Sequence, residues 1–196
     1  MPCIRTICCA VASLLIIGLG TSVKAEELNN KKELDALRES LMKYQDVYAA
    51  VRDGYYSTVG CVHYTGDTME GHADYPKGAM GIHFLKKELV GPQPDPMRPP
   101  VLTYEPQEGK LHLVGVEWVV PLDGATKRPE LFGQKFLGPM EGHEPIIPQE
   151  FLHYDLHAWL FKENPLGMFA PTHPGVNCAG YDFELLEHPT KLVTGP

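Results

Sequence analysis

The most regular pattern of hydrophobic and polar positions along the chain lies between residues 152 and 161. Alternate residues there separate into an apolar set and a set of three polar residues followed by two aromatic ones. The apolar set is Leu152, Tyr154, Leu156, Ala158 and Leu160, and the other set is His153, Asp155, His157, Trp159 and Phe161. This period of two predicts a β-strand over 153–162, which the turn residues Asn164 and Pro165 then end.

A helix is the alternative for the same segment, because His153 and His157 are four residues apart and would lie on one helical face. Aromatic residues interleaved with aliphatic ones favour the strand. On a strand, the rise per residue separates the two histidines by about 13 Å, so they could not bind one ion together. His157 would then need partners from other strands.

Residues 28–53 are predicted to form one long amphipathic helix. Its apolar residues recur at spacings of three and four, which places them on one stripe: Leu34, Leu37, Leu41, Tyr44, Tyr48 and Val51. Asn29 and Asn30 are candidate N-terminal caps, and Gly54 is suited to end the helix. A stripe of this length is expected to pack against a sheet.

Short apolar segments between glycine- and proline-rich turns predict a sheet. The predicted strands are 58–64, 79–85, 101–105, 110–121, 153–162 and 181–186. Residues 91–100 are a proline-rich connection, and 122–150 have no clear period, so the latter segment is predicted to cover a site or to be mobile. The pattern predicts an α+β fold, in which the long N-terminal helix packs on a curved, mostly antiparallel sheet that forms a half-open barrel. A cupin-like β-barrel with an added helix is the alternative.

Residues 1–25 have the pattern of a signal peptide. Arg5 supplies a positive charge, an apolar run extends from Ile7 to Leu19, and Val23-Lys24-Ala25 places small residues at a cleavage site before Glu26. The run is short for a transmembrane helix, and a retained membrane anchor is the alternative. Residues 26–196 are therefore predicted to be a single α+β domain that is periplasmic or secreted.

The predicted cleavage changes both the cysteine content and the net charge. Of the five cysteines only Cys61 and Cys178 remain, and an oxidising compartment favours a disulfide between them. Arg5 and Lys24 are two of the 17 basic residues, and none of the 25 acidic residues is removed, so the formal charge changes from −8 to −10. This charge argues against nucleic acid and anionic membranes as partners. A small-molecule ligand is the expected partner, and the sequence does not define an oligomeric state.

Two predicted strands place a polar residue two positions after a glycine among apolar neighbours. These pairs are Gly81 with His83, and Gly115 with Glu117. The apolar residues around the first pair, Met80, Ile82 and Phe84, are predicted to share the other face of that strand. A glycine within a strand often marks the close approach of another group. A carboxylate in an otherwise apolar strand is costly to bury alone, and His83 and His157 are the histidines that face the right way to pair with it.

His83, Glu117 and His157 are therefore predicted to form a mononuclear metal site built from three strands. Two histidines and one carboxylate suit zinc, iron(II) or manganese, with positions left open for a substrate. Side-chain tips more than about 6–7 Å apart would exclude a shared ion, because metal–ligand bonds are near 2 Å. The protein is thus a candidate metal-dependent enzyme. The alternative is a ligand-binding module without catalytic activity, in which a histidine and the glutamate form a structural pair.

Other polar and aromatic residues complete the predicted site. Asp155 and His153 are expected beside the ligands, where Asp155 would orient an imidazole. Trp118, Trp159 and Tyr154 are expected to line a pocket for the small molecule. The remaining histidines are predicted to lie at the surface: His63, His72, His112, His143, His173 and His188.

Three sequence blocks resemble those of a family of secreted bacterial proteins with no established activity. They are Gly78-Ala79-Met80-Gly81-Ile82-His83, Leu131-Phe132-Gly133-Gln134, and Tyr154 to Leu160 together with Asn164 to Pro171. The resemblance extends over residues 44–178, which is most of the predicted mature chain. It implies an exported, single-domain protein and assigns no catalytic residue.

Overall fold

The structure, a computed structural model, describes residues 17–196, with the side chains of Lys24 and of residues 26–196. The chain begins with a long helix, α1 (Ile17–Leu41), followed by a 3-10 turn at Met42–Gln45 and a short helix, α2 (Val47–Arg52). Residues 1–16 of the predicted signal peptide lie outside the described part of the chain. Its cleavage therefore stays a prediction.

Nine strands follow the helices. They are β1 (Tyr56–Tyr64), β2 (Gly78–Leu85), β3 (Val101–Gln107), β4 (Lys110–Pro121), β5 (Glu130–Leu131), β6 (Gln134–Lys135), β7 (Leu137–Met140), β8 (His153–Ala158) and β9 (Glu184–Glu187). A further 3-10 turn lies at Lys87–Leu89, between β2 and β3. The first four long strands and β8 lie where the alternation of residues predicts them, although β8 ends four residues earlier than expected.

Seven of these strands form one sheet, in the order β7-β8-β4-β3-β2-β1-β9. Each neighbouring pair is antiparallel except β1 and β9, which run parallel. The sheet curls into a half-barrel, and the N-terminal helix packs on it. The predicted α+β fold is confirmed. Strands β5 and β6 form a separate small hairpin.

The main hydrophobic core lies between the helices and one face of the sheet. The helical region contributes a buried stripe of Leu34, Leu37, Leu41 and Tyr44. The sheet contributes large side chains such as Trp118, Tyr154 and Ile82, all of which are almost completely buried. Tyr44 and Tyr104 also join the two layers, because the Tyr104 hydroxyl donates a 2.7 Å hydrogen bond to the Tyr44 carbonyl oxygen.

The predicted single helix over 28–53 is wrong at its C-terminal half. Asp46 has an extended backbone (φ −85°, ψ 104°), and its side chain caps α2 by accepting a hydrogen bond from the Tyr48 amide. This break changes the helical phase, so the apolar stripe does not continue into α2. Tyr48 and Val51, expected on the buried stripe, are 72% and 53% exposed. An aspartate that caps a new helix explains the interruption.

The predicted disulfide between Cys61 and Cys178 is confirmed. It joins β1 to the segment that follows β8, with a sequence separation of 117 residues. Both cysteines are buried in the main core. In the chain-entropy description, a crosslink that closes a loop of this length stabilises the fold by about 5 kcal/mol.

Candidate metal centre

The face of the sheet opposite the helices carries the candidate site, and this surface is called the site face below. On β8, Tyr154, Leu156 and Ala158 are part of the main core, so the alternate residues point to the site face. Those residues are His153, Asp155 and His157. The strand interpretation of this segment is therefore confirmed, and the helical alternative is wrong.

Strand pairing brings Glu117 beside His157. In the antiparallel pairing of β4 with β8, Glu117 is directly opposite His157, and Val119 is opposite Asp155. Because side chains of directly opposed residues lie on the same face, Glu117 also points to the site face. Its neighbours in sequence, Val116 and Trp118, belong to the main core on the other side.

His83 reaches the same place from β2, across the intervening strand β3. It pairs with Thr103 of β3, while Glu117 of β4 pairs with Val101, two residues away on the same strand. His83 and Glu117 therefore lie on either side of β3, and their side chains meet with a distance of 3.4 Å between Nε2 and Oε2. Three strands thus supply one side chain each, as the alternation of residues predicts.

The distances among these three side chains match metal ligands better than a hydrogen-bonded pair. His83 Nε2 lies 3.4 Å from Glu117 Oε2, and His157 Nε2 lies 3.8 Å from the same oxygen. Hydrogen bonds to a carboxylate oxygen are usually about 2.7–3.2 Å long. Two ligands bonded at about 2.05 Å to a tetrahedral ion are separated by about 3.3 Å. The ligand atoms of all three residues lie within 4.8 Å of one another, so the limit for a shared ion is met.

The histidines of this cluster have buried nitrogens without hydrogen-bond partners. Within the described residues, Nδ1 of His83 and both ring nitrogens of His157 are buried and unpaired. Such groups are costly to leave unsatisfied, by about 1–3 kcal/mol each. Packing holds the His157 ring, which stacks on Trp159 with ring centroids 6.4 Å apart. A cation bound at Nε2 of both rings would satisfy one of the two unpaired nitrogens of His157.

Burial favours the neutral form of all three groups, which prepares the two histidines for a cation but not Glu117. It lowers the pKa of His83 to about 4 and holds that of His157 well below its usual value, so both rings are neutral at pH 7. A neutral imidazole offers a lone pair to an ion. Burial, with repulsion from Asp155, raises the pKa of Glu117 well above its usual value. Without a positive charge nearby the carboxyl group is therefore held protonated.

A cavity of about 460 Å³ lies against this cluster. His83 and Glu117 are part of its wall, and most of the remaining wall is apolar, including Val62, Met80, Val101, Val119 and Ile146. The segment 122–150, predicted to cover a site, supplies His143, Ile146, Ile147 and Pro148 to the wall. Mixed apolar walls with a few polar groups are typical of small-molecule sites.

The three residues predicted to line a pocket lie elsewhere. Trp118 and Tyr154 belong to the main core, because each is one position out of phase with the residues of the site face. Trp159 follows the end of β8, and its indole nitrogen donates a hydrogen bond to the Ala170 carbonyl oxygen. None of the three is part of the wall of the cavity, so that expectation is corrected. Trp159 contributes to the site indirectly, through its stacking on His157.

A bulge at Gly81 corrects the predicted faces of β2. Gly81 has a φ of +90°, and a Cβ atom there would lie 2.5 Å from the Tyr104 carbonyl oxygen. The extra residue shifts the alternation, so Met80 points to the cavity while Ile82 and Phe84 stay in the main core. At Gly115, the atom that a Cβ would meet is the Ala158 carbonyl oxygen, at 2.8 Å. Both glycines therefore accommodate neighbouring backbone.

Asp155 and His153 do not support the first cluster as expected but form a second one with His143. The ligand atoms of these three residues also lie within 4.8 Å of one another. His143 was predicted to lie at the surface, but it is half-buried and part of the cavity wall, and its segment has no period from which this could be predicted. The sequence feature that could have pointed to His143 is the length of that segment, which predicted that the segment covers a site.

The other histidines predicted at the surface differ in their exposure. His112 and His188 are exposed as expected, and His63 and His72 are half-buried. His173 is buried, and the prediction for it is wrong. Its ring packs edge-on against Trp159 and contacts the Glu163 carbonyl oxygen at 2.9 Å, so it has a structural role away from the cavity.

The fold and the site together define an α+β protein with a buried cluster of two histidines and one carboxylate beside an apolar cavity. Comparisons with protein-family models, with curated proteins and with solved structures found no match to the chain. The resemblance to a secreted bacterial family therefore stays a prediction. Among the described residues, no helix has both the length and the apolar character needed to cross a membrane.

Proposed function

We propose that this protein is an exported metal-dependent enzyme whose ion is held by His83, Glu117 and His157. One observation carries the proposal: the ligand atoms of three buried residues converge at separations of 3.4 and 3.8 Å, which are longer than the hydrogen bonds of a structural pair. A buried carboxylate and two unpaired imidazoles are costly to maintain unless a ligand compensates them. The disulfide between Cys61 and Cys178 supports export, since such bonds persist in oxidising compartments.

Three protein ligands leave at least one coordination position for a substrate or a water molecule. A divalent ion at this position would polarise a carbonyl group or lower the pKa of a bound water molecule. Two neutral histidines and one carboxylate are the ligand set found with zinc and with iron(II). The chain itself contributes the orientation of the ligands, since Glu117 and His157 are fixed on paired strands. It also contributes an apolar enclosure, which strengthens electrostatic effects near the ion.

The cavity favours a small, largely apolar substrate with one polar group. Aliphatic residues and Met80 form about half of the wall, whereas Tyr56, Thr58 and Tyr64 supply hydroxyl groups. The chain carries a formal charge of −8, so an anionic substrate would approach against an unfavourable potential. A neutral or cationic molecule is therefore the expected substrate class, with its polar group directed toward His83 and Glu117.

Metal analysis of the protein and two variants tests this proposal. The protein is purified from the exported fraction without added metal or chelator, and its content of zinc, iron and manganese is measured. His157→Ala should contain one equivalent of metal per chain less than the wild type, while its circular dichroism spectrum stays that of the wild type. His112→Ala, which removes an exposed histidine of β4, is the matched control and should keep the metal.

The structural-pair alternative gives a different result in the same experiment. The wild-type protein would then contain no stoichiometric metal. The His157→Ala variant would also contain no metal, and only its melting temperature would change, because the substitution would affect packing and unsatisfied polar groups alone. Intact mass of the exported protein tests the location separately: a chain that begins near Glu26 supports export, and a retained N-terminus contradicts the predicted cleavage.

A further inference from the structure

We infer that His143, His153 and Asp155 form a second divalent-cation site that opens into the same cavity. This inference deepens the proposed function and rests on it, since both ions would serve one substrate. The ligand atoms of the three residues lie within 4.8 Å of one another. The rings of His143 and His153 are close, with centroids 5.5 Å apart and planes inclined by 61°.

The backbone hydrogen bond of His153 leaves its other nitrogen free for an ion. Nδ1 lies 3.0 Å from the Phe151 carbonyl oxygen. A carbonyl oxygen can only accept, so Nδ1 carries the proton and Nε2 keeps a lone pair. His153 is only 1% exposed, and Nε2 has no hydrogen-bond partner among the described residues. Metal-bound histidines usually donate their other N–H group to a carbonyl or a carboxylate, as His153 does.

His143, on the covering segment, is also held through Nδ1. This atom lies 2.9 Å from the Thr190 hydroxyl oxygen and 3.5 Å from the Tyr64 hydroxyl oxygen. A hydroxyl group can accept from an imidazole N–H, so in the tautomer with the proton on Nδ1 these contacts orient the ring and leave the Nε2 lone pair for an ion. Tyr75 packs edge-on against the ring, with centroids 6.2 Å apart, and limits its rotation.

Asp155 supplies the negative charge. Its carboxyl group is buried on β8, where the residue is only 2% exposed. It makes no ion pair with any lysine or arginine of the described residues. A buried carboxylate without a cationic partner is costly, whereas a divalent ion would compensate its charge. The ligand set of two histidines and one carboxylate is also that of the first cluster, and it again suits zinc, iron(II) or manganese.

The two clusters share one cavity and strand β8. Asp155 and His157 are two residues apart on the same face of β8, which places their Cα atoms about 7 Å apart. His83 and Glu117 of the first cluster and His143 and Asp155 of the second are all part of the cavity wall. A small molecule in this cavity would therefore contact both sites. Two ions in one site can bind a substrate and activate a water molecule separately.

The test counts zinc ions bound by the exported, disulfide-bonded protein. The protein is first treated with a chelator, then dialysed against zinc chloride, and bound zinc is measured per chain. We expect two equivalents for the wild type. His153→Ala and His157→Ala should each retain one equivalent, and the double variant should retain none. His112→Ala controls for binding at exposed histidines and should retain two.

The possible results separate the second site from the first. One equivalent in the wild type, lost in His157→Ala and kept in His153→Ala, overturns the second site and leaves the proposed function intact. One equivalent lost in both variants means a single shared ion and also overturns it. No binding in the wild type overturns both proposals. If His153→Ala fails to fold, His143→Gln replaces it, because His143 lies on the covering segment outside the sheet strands.

Discussion

Replacing Asp155 by asparagine should stabilise the metal-free protein at neutral and alkaline pH. Asp155 is buried beside the cavity, and burial raises the pKa of its carboxyl group from 3.8 to about 7. Asparagine has nearly the same shape and no charge, so it removes the cost of ionising this group while keeping the packing. A residue retained at a cost to stability is typical of a functional site.

The size and the sign of the effect follow from the two pKa values. In the unfolded chain the carboxyl group ionises above pH 3.8, whereas in the folded chain it stays protonated up to about pH 7. The folded state therefore binds more protons between these values, and the free energy of unfolding falls as the pH rises through that range. A shift of about three pH units at 1.36 kcal/mol each amounts to about 4 kcal/mol at pH 8. The gain of Asp155→Asn should be near zero at pH 4.

Guanidinium chloride unfolding in the presence of a chelator measures this difference. The buried residues Trp118 and Trp159 provide a fluorescence signal for unfolding. Asp123→Asn, at an exposed position in the loop after β4, is the matched control and should change stability little at either pH. Equal stability of Asp155→Asn and the wild type at pH 8, or a gain that is the same at pH 4 and pH 8, would refute the reasoning.

The remaining predictions concern the disulfide and the bulge in β2. Replacing both Cys61 and Cys178 by serine should lower the free energy of unfolding by about 5 kcal/mol, measured as a lower denaturant midpoint; an unchanged midpoint would contradict the role of the crosslink. Gly81→Ala should cost more than about 1–3 kcal/mol, because a positive φ is combined with a contact of 2.5 Å to the Tyr104 carbonyl oxygen. Gly180 has a similar φ of +80°, but an added Cβ would meet no atom within 4 Å, so the melting temperature of Gly180→Ala reports backbone strain alone. An equal loss of stability in the two variants would show that the contact with Tyr104 contributes nothing.

The sheet could be predicted from the sequence because its long strands alternate cleanly. Leu156 alternates with His157 on β8, and Trp118 with Glu117 on β4. In a regular strand, such a period of two assigns each side chain to one face of the sheet. The prediction failed where a local feature broke the period. Gly81 introduces an extra residue into β2, and Asp46 ends one helix and begins the next. Neither feature alters the order of apolar and polar residues enough to be predicted from the hydrophobic period of its segment.

The first cluster could be predicted because its three residues are polar positions in apolar strands. The second could not, because His143 lies in a segment whose path depends on contacts with Thr190 and Tyr64, both far away in the sequence. The pocket residues failed for a related reason. Aromatic side chains near a polar residue suggest a binding site, yet Trp118 and Tyr154 fill the core behind it. Only the pairing of β4 with β8 decides which side chains meet.

The most direct test of the account is an anomalous-difference map from crystals of the exported protein, recorded at the absorption edge of the metal found by elemental analysis. The account predicts a peak within about 2.0–2.2 Å of His83 Nε2, Glu117 Oε2 and His157 Nε2, the bond lengths of zinc with these ligands. A map without a peak between these three side chains, from protein that retains its disulfide and its fold, would contradict the metal centre.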